Sequence, residues 1–280
     1  MTIPAGRTVL LDVVTANLAC LTIDGTLRPA DLTGTYGITS GCIEVENGGL
    51  LEVGTAASPF AGTFTFELNG ARGTHTARTE DNALDNDAGI RSIMVMSGGS
   101  LVLHGSVPAI LSTKLNATAA AAATSLTGAD SGLAWADGDR IAISQTDFYD
   151  VGSTELRTLN GAPSGTTVAI TAGLTTGRYG KLQYPTDQSL GVEAMSVTPG
   201  TFTPTHADCP TVLDERAVIC NLSRKITIQA PNDTDWSTNG FGVHVMVMPG
   251  ATVAQVSGVR FFRCGQRRAM GRYPFHWHML

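Results

Sequence analysis

The chain repeats a short phrase in which a small residue and a cysteine precede alternating apolar and polar residues. It reads "ACLTID" at residues 19–24 and "GCIEVE" at residues 41–46, so that Cys20 and Cys42 are 22 positions apart. This spacing is about the length of one coil of a parallel β-helix, in which equivalent positions of neighbouring coils stack at roughly 4.8 Å. The repeat therefore predicts stacked coils, with Cys20 and Cys42 either joined by a disulfide or stacked as free thiols.

Glycine precedes alternating apolar residues in four phrases, at residues 23–28, 47–54, 97–105 and 249–258. Such phrases are typical of a tight turn followed by a short strand. Gly25, Gly49 and Gly99 are 24 and 50 positions apart, which we interpret as one and two coils. The pattern has no helical periodicity and favours a solenoid, in which each coil buries its apolar face on the next. A β-sandwich has similar strands but would not favour stacked, near-equivalent phrases.

The composition agrees with an all-β chain. Only 15% of the residues are charged, while 32 are glycine and 42% are hydrophobic, which favours short strands and tight turns. The net charge of -6 argues against nucleic acid or an anionic membrane surface as a partner. No apolar run is long enough to span a bilayer. The opening residues lack the pattern of a secretory signal, so we expect the chain to begin at a mature domain or at a shortened start.

Two stretches interrupt the predicted coils. Residues 114–132 contain an alanine run flanked by Asn, Thr and Gly, and we expect an inserted loop there. Residues 177–212 are rich in Pro, Thr and Gly and are predicted to be a long excursion from the stack. Cys209 and Cys220 flank its return and are expected to staple it, which leaves Cys264 unpaired.

Seven phrases, taken in order, resemble one known family. They lie at residues 2–27, 46–70, 92–105, 135–148, 215–230, 242–248 and 259–279. They are similar to the eight-glycine (G8) domain β-helix family, whose members include the cell-surface hyaluronidase, the cell-migration-inducing hyaluronan-binding protein and the fibrocystin-like proteins. The resemblance implies a right-handed parallel β-helix that acts on, or binds, extracellular polysaccharide such as hyaluronan.

The resemblance also sets the expected domain organisation. Residues 1–130 are predicted to be the eight-glycine part of the β-helix, and residues 131–280 its continuing coils, with the excursion at about 177–212. In the family the β-helix continues past the closing His-aromatic-His segment. We therefore expect this chain to be truncated at its C-terminus, either as a fragment or as a lineage that lost the remaining coils.

The last ten residues, "GRYPFHWHML" at 271–280, place two histidines one residue apart. Residues two apart in a strand project from the same face, so His276 and His278 should point one way and Phe275 and Trp277 the other. We predict that the two aromatic residues are buried and that the two histidines project laterally from the coil.

Two kinds of site are predicted around this ending. His276 and His278, with His244 from a nearby coil, could bind a divalent metal ion such as zinc, copper or iron. The alternative is a stack of polar residues satisfied by neighbouring backbone. Arg272 and Tyr273, beside the histidines, suit a polysaccharide that carries carboxylates, because guanidinium pairs with carboxylate and an aromatic face packs on a sugar ring. The alternative for Arg272 is a turn anchor beside a proline.

No catalytic acid or base can be assigned from the sequence. Glycoside hydrolysis usually needs two carboxyl groups roughly 5–10 Å apart. Asp137 and Asp139 flank a glycine and are predicted to cap a turn. The acidic residues of the stretch 79–87 lack the spacing of a calcium loop, so a solvated loop is the preferred interpretation.

The functional hypotheses follow from the resemblance and the ending. The first is an extracellular or cell-surface polysaccharide-processing protein, a hyaluronidase-like glycan depolymerase or part of one. The alternative is a non-catalytic carbohydrate-binding or adhesion module, and a third is a purely structural solenoid segment. In the first two cases the expected partner is a glycan.

Overall fold

The computed structural model describes residues 1–72, 90–146, 154–187, 194–200, 203 and 210–278. They form two compact units, which are described separately. Unit 1 contains residues 1–107 and 224–280, and unit 2 contains residues 108–223. Within the described ranges, no helix has the length and apolar character that a membrane crossing requires.

The first part of unit 1 contains the strands β1 (Thr2–Ile3), β2 (Thr8–Leu11), β3 (Leu21–Ile23), β4 (Thr26–Pro29), β5 (Thr35–Ser40), β6 (Cys42–Val45), β7 (Leu50–Val53), β8 (Thr63–Leu68), β9 (Ser92–Val95) and β10 (Ser100–His104). Unit 2 contains β11 (Ser112–Lys114), β12 (Ser125–Thr127), β13 (Arg140–Ile143), β14 (Glu155–Thr158), β15 (Thr167–Ala169), β16 (Tyr184–Asp187), β17 (Ala194–Ser196) and β18 (Val218–Asn221). The second part of unit 1 contains β19 (Ile226–Gln229), helix α1 (Thr234–Asn239), β20 (His244–Val247), β21 (Val253–Ser257), β22 (Val259–Phe262) and β23 (His276–Trp277).

Unit 1 is a parallel β-helix with three sheets. Sheet 1 has the strand order β1-β3-β6-β9-β20-β23, sheet 2 the order β2-β4-β7-β10-β21, and sheet 3 the order β5-β8-β19-β22. Ile43, Ile93 and Val245 occupy one position of three successive coils in sheet 1, and all three are fully buried. Apolar residues of successive strands thus enter one continuous core, and the predicted fold class is confirmed.

The stacked turns require glycine because the backbone of the preceding coil leaves no space for a side chain. A Cβ atom on Gly49 or Gly99 would overlap a backbone carbonyl oxygen of the preceding coil. These two glycines lie in adjacent coils, since Leu50 pairs directly with Ser100. The interpretation of their 50-residue spacing as two coils is therefore wrong. It is one coil with a long connection between β8 and β9.

The structure decides between the two alternatives for Cys20 and Cys42. Cys20 and Cys42 form a disulfide between successive coils, with their Cα atoms 4.6 Å apart. Cys264 is a free, half-buried thiol, as expected. Cys220 is also a free thiol, and its expected partner Cys209 lies outside the described residues.

Unit 2 has antiparallel pairing and a core of its own. Its strands form a sheet of order β11-β18-β13-β14 and the two pairs β12-β15 and β16-β17. Trp135 is buried in this core and donates its indole N–H to the Ile110 carbonyl oxygen at 2.7 Å. The structure thus divides the chain differently from the predicted boundary at residue 130. Residues 131–176, expected to continue the coils, lie in the antiparallel unit instead, because an alternating strand pattern does not specify the direction of its partner.

A buried ion cluster lies within unit 2. Glu155 accepts hydrogen bonds from the backbone N–H of Thr175 at 2.7 Å and of Thr176 at 3.1 Å. It also pairs with Arg178 at 2.7 Å and with Arg157. Burial alone would raise the pKa of Glu155, but these donors outweigh it, and the pKa lies below its usual value.

Candidate functional site

The closing strand β23 continues sheet 1 by pairing with β20. His276 pairs with Met246 and Trp277 with Val247, a core residue. The indole of Trp277 therefore continues the inward stack, and His276 lies on the outward face. Phe275 is half-buried against the core, whereas Trp277 is 53% exposed, so the prediction that Trp277 is buried is wrong. The exposure follows from its place on β23, the outermost strand of the sheet.

The two closing histidines lie side by side on the outward face. Nε2 of His276 is 3.2 Å from Nδ1 of His278, and both side chains are half-buried. The Tyr273 ring lies 5.2 Å from the imidazole of His276, centre to centre. The backbone of His278 is fixed as well, since its N–H donates to the Val247 carbonyl oxygen at 2.9 Å.

His244 does not join this pair. It is fully buried on β20, and the N–H of the next residue, Val245, donates to the Pro274 carbonyl oxygen at 3.3 Å. His276 stacks on Met246 instead, two residues further along the strand, which is roughly 6.6 Å. In the part of the chain that the structure describes, no group of three or more His, Cys, Asp or Glu residues is placed to hold a metal ion. The predicted three-histidine centre is therefore not assembled.

Arg272 is buried and holds a loop together. Its Nη1 donates to Oε1 of Gln266 at 2.7 Å, and only 6% of the residue is exposed. The Gln266 amide in turn donates to the carbonyl oxygens of Ile90 at 3.3 Å and Gly242 at 3.2 Å. These contacts favour the turn-anchor alternative for Arg272. Tyr273, by contrast, is 50% exposed.

A basic cleft lies beside this loop. It has a volume of about 330 Å³, and four arginines line it: Arg72, Arg267, Arg268 and Arg272. We call it the arginine cleft. Arg72, Arg267 and Arg268 are exposed, and no lining residue among those described carries a carboxylate. An open groove adjoins it, with Trp236, Met270, Tyr273 and Pro274 among its lining residues.

The sequence contains a signal for this cleft that none of its short motifs shows. No aspartate or glutamate follows Asp235, and the last 45 residues contain five arginines although the net charge of the chain is -6. These arginines are Arg260, Arg263, Arg267, Arg268 and Arg272. A local reversal of charge on an acidic chain is a general indication of an anion-binding surface.

Three connections at one corner of the solenoid build the site. Each leads from sheet 3 to sheet 1: residues 69–91 join β8 to β9, residues 230–243 join β19 to β20, and residues 263–275 join β22 to β23. The described part of the first contributes Arg72, the second contributes α1 and Phe241, and the third contributes the remaining arginines. Stacking of coils thus brings together residues far apart in sequence.

Arg91 fixes one wall of the cleft. It is 1% exposed and donates to the carbonyl oxygens of Phe241 at 2.6 Å and Gly70 at 2.9 Å. It also pairs with Asp233 at 2.5 Å, the residue that caps the start of α1. Burial raises the pKa of the Asp233 carboxyl, but the bond from Arg91 and the N–H of Trp236 lower it below its usual value overall.

The other predicted acidic positions lie outside the cleft. Asp139 accepts a hydrogen bond from the Ala136 N–H at 2.8 Å, and Asp137 accepts one from the Gly161 N–H at 2.6 Å. Asp139 therefore caps the turn around Gly138, as predicted, whereas Asp137 bonds a separate segment of unit 2. The acidic stretch 79–87 lies outside the described residues, so its interpretation stays a prediction.

Comparison with known proteins places these features in a family context. The chain is 26% identical to fibrocystin-L of Mus musculus over 315 aligned residues, which cover 99% of this chain and 7% of that protein. It is 25% identical to a G8 domain-containing protein of Dictyostelium discoideum over 284 residues, or 99% of this chain and 21% of that protein. The chain thus spans a small part of the length of these relatives.

A solved structure and two family models are among the further matches. The structure is the tailspike of an Acinetobacter baumannii bacteriophage in complex with a capsular saccharide, at 9% identity and a TM-score of 0.27, covering 93% of this chain and 30% of that one. Residues 1–116 match the model described as the G8 domain, and residues 240–280 match the model described as the CEMIP beta-helix. Over these two ranges the chain is similar to the G8 domain and to the CEMIP beta-helix, and the resemblance that its sequence predicted is confirmed.

Proposed function

We propose that this chain is an extracellular glycan-binding β-helix module whose arginine cleft takes an acidic polysaccharide. The observation that carries the proposal is the cleft itself, with four arginines and no carboxylate among its described lining residues. Guanidinium groups bind carboxylates and sulfates through paired, charge-assisted hydrogen bonds. The cleft therefore selects anionic ligands although the chain is acidic overall.

The adjoining groove supplies the second requirement of a sugar site. Tyr273 and Trp236 line it, and half of the Tyr273 side chain is exposed. Aromatic side chains offer flat apolar faces on which sugar rings pack. A polymer that crosses both the groove and the cleft would meet stacking and charge in succession, which suits an extended chain of repeating acidic units.

The disulfide supports the proposed extracellular location. Cys20 and Cys42 are joined between coils, and disulfides persist in oxidising compartments such as the extracellular space. The family resemblance points to the same location. A chain of this kind would meet its glycan outside the cell.

Binding is better supported than hydrolysis. Hydrolysis of a glycosidic bond usually requires a pair of carboxyl groups roughly 5–10 Å apart, and the described residues that line the cleft and groove include none. The hyaluronidase-like depolymerase therefore remains a hypothesis from family resemblance. Size analysis of hyaluronan after incubation with the protein tests it, because only a depolymerase shortens the chains.

The binding proposal is tested with two charge-matched variants. Arg267→Ala/Arg268→Ala removes two exposed arginines from the cleft, and Arg7→Ala/Arg28→Ala removes two exposed arginines elsewhere in unit 1. We expect the cleft variant, measured on immobilised hyaluronan in metal-free buffer, to lose about tenfold in affinity, since each exposed pair contributes up to about 1 kcal/mol. The control variant should bind like the unchanged protein.

Two further ligands define specificity. A neutral dextran should not bind, and a sulfated polysaccharide should bind in a way that weakens with salt, because both follow from charge. Equal binding of dextran and hyaluronan, or equal losses in the two double variants, would contradict the proposal.

A further inference from the structure

The two closing histidines face each other, and neither of them lines the arginine cleft. Nε2 of His276 and Nδ1 of His278 are 3.2 Å apart, on side chains that are half-buried. The separation allows one shared hydrogen bond, in which one ring donates and the other accepts. The same separation also suits two imidazoles that bind one metal ion.

Metal geometry accounts for the spacing directly. Imidazole nitrogens bind Zn²⁺ at 2.0–2.1 Å, and at a tetrahedral angle two such nitrogens are about 3.3 Å apart. A small rotation of the rings would turn both lone pairs from each other towards a common ion. We propose that His276 and His278 bind one divalent transition-metal ion of the zinc class. This inference does not depend on the proposed glycan binding.

Backbone hydrogen bonds fix the positions of His276 and His278. His276 and Trp277 pair in register with Met246 and Val247 of β20, and the His278 N–H extends the same ladder at 2.9 Å to the Val247 carbonyl oxygen. Both imidazoles therefore project from one rigid strand, and their spacing does not depend on a mobile loop. Preorganised ligands of this kind lose little conformational entropy when an ion binds.

The donor set selects the class of ion. Imidazole nitrogen suits Zn²⁺, Cu²⁺ and Ni²⁺, whereas Ca²⁺ and Mg²⁺ prefer oxygen ligands.

Ion binding also requires a change of tautomer. Both facing nitrogens must present lone pairs, so the proton that they share moves through solvent to the outer nitrogen of its own ring, and each neutral imidazole keeps one proton. Two protein ligands leave coordination positions open to water or to a ligand oxygen. Tyr273, which lines the groove and stacks near His276, marks the side from which such an oxygen would come.

The test is a metal titration without any glycan. Tag-free protein is stripped with chelator and titrated with Zn²⁺ by calorimetry, and Co²⁺ absorption reports the coordination geometry. We expect one equivalent of saturable binding that His276→Gln or His278→Gln weakens at least about tenfold. His104→Gln is the matched control, because this half-buried histidine lies on β10 and contacts Gln255 at 3.2 Å.

Three results would overturn the inference: no saturable binding by the unchanged protein, equal affinity of the His276→Gln/His278→Gln variant, or an equal loss in His104→Gln. Circular dichroism of each variant separates lost ligands from lost folding. The glycan assay above uses metal-free protein and leaves both histidines in place. Absence of metal binding would therefore not contradict glycan binding in the arginine cleft. Absence of glycan binding would likewise not contradict the metal site.

Discussion

Replacing Arg91 by alanine should loosen the wall of the arginine cleft while the rest of the solenoid stays folded. The side chain is buried, donates to two carbonyl oxygens and pairs with Asp233. Removal of one partner from a buried ion pair costs about 3–5 kcal/mol. Since the Asp233 side chain is 38% exposed and can be rehydrated, we expect the lower end, about 3 kcal/mol.

Native-state hydrogen exchange measures this loss where it occurs. The backbone N–H groups of Ser237, Gly240 and Phe241 donate within α1 and its cap. Where exchange reports local opening, 3 kcal/mol corresponds to about 160-fold faster exchange in this segment. Binding of acidic glycan should fall with it, because Phe241 and α1 line the cleft.

Two further arginine variants serve as controls. Arg28→Ala removes an exposed arginine of the same unit and should leave exchange in α1 unchanged. Arg91→Lys keeps the charge but not the planar fork of donors, so an intermediate loss is expected. If Arg91→Ala left the exchange of these amides within a factor of about three, the ion pair would contribute little, and the account of the wall would be wrong.

Three further predictions concern stability. Gly49→Ala should destabilise unit 1 by several kcal/mol in urea unfolding, since its methyl group would overlap backbone of the coil before, whereas an alanine at exposed Gly6, which has open space around it, should cost about 1 kcal/mol. Cys20→Ser/Cys42→Ser should cost about 3 kcal/mol, as expected for a closed loop of about 22 residues, and reductant should reproduce the loss. Glu155 has a lowered pKa, so the stability that it contributes is complete above its usual value of 4.5 and is lost as pH falls below it; Glu155→Gln should flatten the acid limb of the stability curve of unit 2, and an unchanged limb would count against the ion cluster.

The sequence predicted the coil register better than the coil count. The cysteine phrase and the glycine turns repeat because stacked backbones impose them, so Cys20 and Cys42 could be placed side by side in advance, although not as a disulfide rather than two free thiols. The 50 residues between Gly49 and Gly99 contain one coil and a long connection, and spacing alone cannot separate an insertion from an extra coil. Alternation equally failed to show that Ile141 and Ile143 pair antiparallel with β18, because parallel and antiparallel strands share a period of two.

The candidate site was predicted in part for similar reasons. Alternation placed His276 and His278 on one face correctly. The alternation could not show whether His244 aligns with these two histidines. The pairing of β23 with β20 is offset by two residues, and the lengths of the connections between the two strands set that offset. The alternation also could not show that Arg272 is buried and bonded to Gln266. That contact depends on the conformation of a loop that has no counterpart in the other coils.

The division of the chain leads to a last prediction, that unit 1 folds without residues 108–223. The two units have separate cores, and β19 resumes the solenoid in register, with Ile226 beside Phe64 and Ile228 beside Phe66 of β8. Joining Val107 directly to Arg224 would leave five residues between β10 and β19, the same length as the connection between β4 and β5.

Since each coil of a solenoid contacts only its neighbours, a connection of that length should close the coil without strain. The shortened chain should therefore be soluble, unfold cooperatively in urea and keep the glycan affinity of the arginine cleft, whose described lining residues all belong to unit 1. A join through an added Gly-Ser pair controls for tension at the new connection. If both shortened chains failed to fold, the core of unit 1 would need the insert, and coil contacts alone would not stabilise this β-helix.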